Sequence, residues 1–384
     1  MRIVLSGIET HNKGAELMLY AILQEIERRV PNAEVFVPMF SIGQGLSYVK
    51  TAVQLKEKPW PLLIGLYYKL HLPGIMRRLK LKPYLFNDRF SLNNVDLFLD
   101  ASGFLFSDQW NLSEKQLEQW NGQLSGYKKQ GTRIIMLPQA FGPIEQNNTK
   151  KAVEILSNYA TTIFAREQVS YRYLIASGVA KQKIQIAPDF TNLVSGVVPS
   201  KYDHLKDSVC VIPNKRMIDM GTIDHESYMR LIDRIIALCK SVSRNVFILN
   251  HEGASDEPLC FESQNRNPDI EVVTGLNALE VKGVISRSFL CISSRFHGAA
   301  SALSSGVPCL ATGWSHKYKA LFDDYNMNDS LLPIFDQNVI DSRILSILDY
   351  EENIKRRSYI KCQGKKLQSI IRKMWDDIFV FEQM

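Results

Sequence analysis

Short β-branched runs alternate with amphipathic segments along this chain, the alternation pauses once, and then it starts again. In the first half, strands read at 2–6, 34–38, 95–99, 133–137, 161–165 and 183–186. Helices read at 15–30, 113–129, 149–157 and 168–177. In the first of these, Leu17, Leu19, Ile22, Leu23 and Ile26 recur near the 3.6-residue helical period. The pattern pauses at 192–206, a stretch holding Gly196 and Pro199. It resumes with strands at 208–212, 245–250, 271–274, 289–292 and 308–311, separated by helices at 226–241, 278–286, 298–305 and 318–323. Strands joined through helices pair in parallel, so the fold class is α/β with two doubly wound sheets. The expected domains are 1–195 and 205–350, followed by a basic helix at 351–384.

Length agrees with that division. A single core stops growing near ~250–300 residues, and this chain has 384. Lys and Arg exceed Asp and Glu by six, too weak an excess for a nucleic-acid wrapper. The excess is local: residues 56–90 hold eight bases and two acids, so the rest of the chain balances. That segment also holds Trp60, Tyr67, Tyr68 and Tyr84, and aromatic rings beside Lys and Arg suit a membrane interface. Packing on the fold or an oligomer contact are the alternatives. A second basic face is expected in the last helix.

No run reaches the ~20 apolar residues of a membrane span, and the first strand starts too early for a signal peptide. The expected location is cytoplasmic, with peripheral contact at the inner face of the membrane as one reading. None of the six cysteines lies in a CxxC pair, so reduced, buried thiols are expected. The seven histidines show no HxH or HExxH spacing, so no metal and no cofactor are expected.

Open α/β sheets bind ligands at the carboxyl ends of their strands, so the segments just after strands carry the chemistry. Gly7-Ile8-Glu9-Thr10-His11-Asn12-Lys13-Gly14 joins the first strand to the first helix. A helix start offers N–H groups to an anion, although an Asn-capped turn reads equally well. Asp100-Ala101-Ser102-Gly103 and Pro138-Gln139-Ala140-Phe141-Gly142-Pro143 end two further strands with small residues. Arg166 at the next strand end suits a carboxylate or phosphate, or pairs with Glu167 or Asp189. Asn250-His251-Glu252-Gly253 forms another such turn, expected near an acceptor. The strongest signal is Ser293-Ser294-Arg295-Phe296-His297-Gly298, where a cation and a titratable imidazole meet a helix N-terminus, with Lys317 following.

Together these segments resemble the polysaccharide pyruvyl transferase family. Asn12-Lys13-Gly14-Ala15-Glu16 is like its early N-x-G loop. Ala165-Arg166-Glu167 with Ser170, Leu174, Gly178 and Pro188-Asp189 is like its middle block. Ser294-Arg295-Phe296-His297-Gly298 is like its S-x-R-x-H motif, and Gly306-Val307-Pro308 leading to Lys317 is like its tail. Ala101-Ser102-Gly103 departs from the glycine triplet common in the family.

The resemblance implies two Rossmann-like domains in a GT-B-like pair with a cleft between them. It implies transfer of the enolpyruvyl group of phosphoenolpyruvate to a sugar of a polysaccharide or lipid-linked oligosaccharide, giving a pyruvate ketal. His297, Arg295 and Asp189 are then the expected catalytic residues. Arg166, Lys317, Asn12, Lys13, Gly14 and Gly103 are the expected substrate-binding positions. The implied partners are phosphoenolpyruvate and the sugar acceptor, with no nucleic acid; peripheral contact with an anionic membrane is one reading of residues 56–90. A GT-B glycosyltransferase using a nucleotide sugar and a non-catalytic glycan-binding protein are the competing readings.

Overall fold

A computed structural model describes residues 1–38, 49–57, 92–313 and 316–380. Among these, the strands form two parallel sheets, one of seven and one of five. Two compact units divide the chain. One comprises Met1–Thr10, Ile22–Pro188 and Trp375–Met384; the other comprises His11–Ala21 and Asp189–Met374.

The first unit runs β1 (Arg2–Ser6), the second half of α1 (Lys13–Arg29), β2 (Glu34–Val37), β3 (Gln54–Glu57) and β4 (Leu97–Asp100). It continues with α2 (Glu114–Lys129), β5 (Arg133–Gln139), α3 (Asn147–Tyr159), β6 (Thr162–Ala165), α4 (Gln168–Ala176) and β7 (Ile184–Ile186). The strand order is β3-β2-β1-β4-β5-β6-β7. The register pairs Val4 with Phe36 on one side and with Phe98 on the other. All four residues of β4 are buried, as expected for a strand covered by helices on both faces. Strand β3 departs from the sequence expectation, in which Lys56 and Glu57 open the basic insertion. They lie beside β2 instead, with Phe36 opposite Lys56. The remainder of that expected insertion, from residue 58 to 90, lies outside the described residues.

The second unit runs β8 (Val209–Ile212), the short α5 (Arg216–Asp219), α6 (His225–Ser241), β9 (Val246–Leu249), α7 (Glu257–Arg266) and β10 (Glu271–Val273). Then come α8 (Ala278–Ser286), β11 (Leu290–Ser293), α9 (Phe296–Ser304), β12 (Cys309–Ala311), α10 (His316–Asp324), α11 (Gln337–Leu348) and α12 (Tyr350–Phe379). Its strand order is β10-β9-β8-β11-β12. Cores form on both faces: Phe247, Cys291, Leu303 and Phe322 on one, Ile232, Ile248, Ile292 and Ile344 on the other. The six cysteines are all free; five are buried and Cys362 is exposed.

The chain crosses between units at Pro188 and Asp189, a few residues before the expected pause at 192–206. The start of α1 and most of α12 also group with the second unit. Sequence order hides both facts, because contacts rather than chain continuity define a compact unit. No described helix is long and apolar enough to cross a membrane.

Candidate active site

Strand β11 ends at Ser293, and the chain turns at once into α9. Ser293 braces the turn: its Oγ donates to the Arg295 carbonyl at 2.8 Å and accepts the Arg295 N–H at 3.1 Å. Ser294 is buried and tied from four sides. The Tyr228 hydroxyl donates to its Oγ at 2.7 Å, and Thr312 Oγ1 lies 2.6 Å from the same atom. Asn214 Nδ2 and the Tyr318 hydroxyl each donate to its carbonyl at 2.7 Å. Four elements therefore fix the residue just before Arg295. Each buried polar atom in this hub has a partner, which makes the turn rigid.

Arg295 is held by carboxylates. Its Nε and Nη2 donate to both oxygens of the fully buried Asp256 at 2.7 and 2.6 Å, and Nη1 lies 3.4 Å from Glu252. Burial would raise Glu252, but the His251 hydrogen bond and the Arg295 charge outweigh it and hold the carboxyl below its usual range. The other Glu252 oxygen accepts from Asn12 Nδ2 at 2.7 Å. Asn12 in turn caps α1, its Oδ1 accepting the Gly14 and Ala15 N–H groups at 2.9 and 3.0 Å. The ammonium of Lys13 pairs with the fully buried Glu16 at 2.7 Å. Asn12 is thus the cap of α1.

His297 sits on the first turn of α9. One edge of its ring lies against Gly14, where a methyl group would collide with Cδ2 and Nε2. Its Nδ1 lies 4.0 Å from Asp189 Oδ2. Asp189 is buried at the head of the 3-10 turn Phe190–Leu193, and its Oδ1 accepts from Thr191 N at 2.9 Å and Thr191 Oγ1 at 2.6 Å. Behind that turn lies Lys282, fully buried on α8. It donates to the Thr191 carbonyl and to Ser304 Oγ, both at 2.8 Å. Burial pushes Lys282 down from 10.5 to about 7, against the opposing pull of Asp189. Lys317 lies over the Phe296 ring, 5.4 Å from its centroid.

The second unit thus gathers Asn12, Lys13, Gly14, Asp189, Arg295 and His297 in one network, with Lys317 over the neighbouring Phe296. Arg166 and Gly103 belong to the first unit. There, Arg166 is buried just after β6, and its N–H donates to the Gln139 carbonyl at 3.0 Å. Gly103 follows β4 with φ of +70°, a left-handed value that suits glycine. Its carbonyl accepts from Ala140. Asp100 beside it is raised by burial. Gly7 also has a positive φ, and a side chain there would run into Ser102.

Sequence reading missed Asp256, Lys282 and the Ser294 hub. Lys282 left a signal, a lone lysine inside the apolar run Val281-Lys282-Gly283-Val284-Ile285. Asp256 left none. No group of three or more His, Cys, Asp or Glu among the described residues suits a metal ion.

No curated protein sequence matches the chain. Solved structures match its fold over nearly their whole length. The UDP-GlcNAc 2-epimerase of Methanocaldococcus jannaschii is similar at 10% identity, covering 97% of this chain and 98% of its own, with a TM-score of 0.59. Anabaena HepE in complex with UDP and glucose gives 11% identity, 99% of both chains and 0.60. The UDP-GlcNAc 2-epimerase of Neisseria meningitidis bound to UDP-GlcNAc gives 12% identity, 97% of this chain, 100% of its own and 0.54. At these identities the likeness carries the fold alone, the GT-B-like pair of Rossmann-like units. The sequence profile of the polysaccharide pyruvyl transferases spans residues 12–316, from the Asn12 cap through Asp189 and the Arg295–His297 turn to the start of α10, and the chain is therefore a transferase of that family.

Proposed function

We propose that the protein transfers the enolpyruvyl group of phosphoenolpyruvate to two hydroxyls of one sugar in a polysaccharide or lipid-linked glycan precursor. The observation that carries this reading is the His297–Asp189 pair, placed on a rigid turn inside the matched family region. A carboxylate near Nδ1 favours the imidazolium and leaves Nε2 as the atom that gives its proton.

In the proposed step, His297 protonates the methylene carbon of phosphoenolpyruvate and the neighbouring carbon becomes oxocarbenium-like. One sugar hydroxyl attacks that carbon. The carbon–oxygen bond to phosphate then breaks, and the second hydroxyl completes the ketal. Two hydroxyl protons are released; one restores His297 and the other leaves with phosphate. Asp189, near the ring, is the acceptor for a hydroxyl proton.

The substrate brings a carboxylate and a phosphate, and in the second unit we assign Lys317 to one of these anions; Arg166 of the first unit is kept as a candidate anion-binding cation. Lys13 and Asn12, already bonded within the protein, shape the α1 side of the site, and Gly14 gives His297 its room. Gly103 is kept as a small residue at a strand end. We assign Arg295 as a positioning residue, since Asp256 takes two of its five N–H donors and Glu252 lies 3.4 Å from Nη1.

The test is release of inorganic phosphate from phosphoenolpyruvate across a panel of glycan acceptors, with the ketal identified by mass spectrometry. The expected result is acceptor-dependent release that His297→Gln abolishes. UDP-binding relatives of the fold motivate nucleotide sugars as the second arm. UDP release without phosphate release would establish a glycosyltransferase instead. Saturable glycan binding with neither product would establish a non-catalytic protein.

A further inference from the structure

We propose that the exposed face of α12 is a docking surface for an anionic phospholipid bilayer. Residues 353–373 contain eight basic side chains and no acidic one. Arg356 and Arg357 are engaged within the unit. Arg356 pairs with Asp329 at 2.7 Å and with Glu352 at 3.0 Å. Arg357 donates to the Ser288 and Phe289 carbonyls. The other six, Lys355, Lys361, Lys365, Lys366, Arg372 and Lys373, are exposed. Among the described residues, no ion pair forms with Lys355, Lys361, Lys365, Lys366 or Lys373.

The opposite side of the helix is anchored. Ile360 and Leu367 join the hydrophobic core of the second unit, and Asn353 Nδ2 donates to the Phe289 and Ile347 carbonyls at 3.0 and 3.2 Å. Gln368 Nε2 donates to the Asn192 carbonyl at 3.2 Å. The face is therefore presented by a fixed helix. At 100° per residue the cations form two rows, Lys355-Lys366-Lys373 and Lys361-Lys365-Arg372, along roughly 30 Å of helix. A line of charge that long and straight suits a flat anionic surface.

A hydrated polyanion would satisfy the lysines but not their neighbours. Ile354, Tyr359 and Ile370 are 44%, 42% and 47% exposed on the same helix. Apolar and aromatic side chains set beside lysines match the interface of a bilayer, where stems and rings meet acyl chains and ammonium groups meet headgroups. This surface is independent of the reaction assigned above, and its test needs no substrate.

Flotation of the full chain with phosphatidylcholine vesicles, with and without phosphatidylglycerol, reads the effect directly. Wild type is expected to float only with phosphatidylglycerol present. High salt is expected to release it, since screening at 1 M shrinks the range of such attraction to about 3 Å. Substituting Lys361→Gln, Lys365→Gln, Lys366→Gln and Lys373→Gln together is expected to weaken binding by about 100-fold or more. A control with Lys115→Gln, Lys128→Gln, Lys129→Gln and Lys150→Gln removes equal charge from another surface and should stay within about threefold of wild type. An environment-sensitive dye on Cys362, the one exposed cysteine of the six, is expected to shift to the blue on the same vesicles. The proposal fails if wild type does not float, or if both quadruple variants lose binding equally. It also fails if the dye stays unshifted while the protein floats, or if soluble polyphosphate binds and vesicles do not.

Discussion

Cations are handled in opposite ways at the strand-end site of the second unit and on α12. At the site, three basic groups are set against acids inside the fold. Arg295 has Asp256 and Glu252, Lys13 has Glu16, and the buried Lys282 feels the charge of Asp189. On α12, five exposed lysines have no such partner among the described residues. The difference separates geometry from attraction. A buried charge without a partner is costly, so charges inside a site are matched and used to hold atoms in place. An exposed ammonium is already solvated and remains available to an external anion. The net charge of the whole chain cannot tell these two uses apart.

The largest effect is expected at the reacting group: His297→Gln should lower kcat for phosphate release by about 100- to 10,000-fold. A loss under tenfold would remove His297 from the chemistry. Next comes the matched pair beneath it. Arg295→Met strands the fully buried Asp256 and should cost about 3–5 kcal/mol in urea unfolding. A cost near zero would mean that this charge does not hold the turn.

Lys282 gives the buried charges a pH dependence. Burial lowers it from 10.5 to about 7, so between those values the unfolded chain holds a proton that the folded one lacks. The penalty for burying the ammonium is complete below about pH 7 and is relieved as pH rises toward 10.5. Stability from this group therefore climbs with pH, by up to about 1.4 kcal/mol per pH unit. Urea unfolding of wild type and Lys282→Met from pH 7 to 10 should give curves that diverge; parallel curves would break the assignment. The smallest effect belongs to α12, where Lys361→Gln, Lys365→Gln, Lys366→Gln and Lys373→Gln should each change stability by less than about 0.5 kcal/mol. A larger loss would show that these lysines hold the fold together.

Much of the fold was legible in the sequence because parallel sheets write it plainly. Strands buried on both faces are short continuous apolar runs, such as Val209-Cys210-Val211-Ile212, and the helices between them carry a different period. Strand β3 escaped notice because Gln54-Leu55-Lys56-Glu57 is largely polar and lies at the edge of its sheet. Helix α7 also escaped, being largely polar, with Pro258 in its first turn. The functional segments were legible as strand-end motifs. The bonding within them was not. Arg295 reads from sequence as a cation beside an imidazole, and no local pattern shows that Asp256, thirty-nine residues earlier, takes two of its donors.

Sequence alone determined the α/β class, the two repeats of strand and helix, the family motifs in order, and the acid-free basic stretch in the last helix. These are properties of local pattern, which period and composition record directly. Tertiary structure decided that the start of α1 belongs with the second unit, where Gly14 meets His297 and Asn12 meets Glu252. It also decided which cations are matched and which face outward. Those outcomes depend on long-range packing that brings distant carboxylates and carbonyls to a given side chain, and no local pattern encodes where such partners will come from.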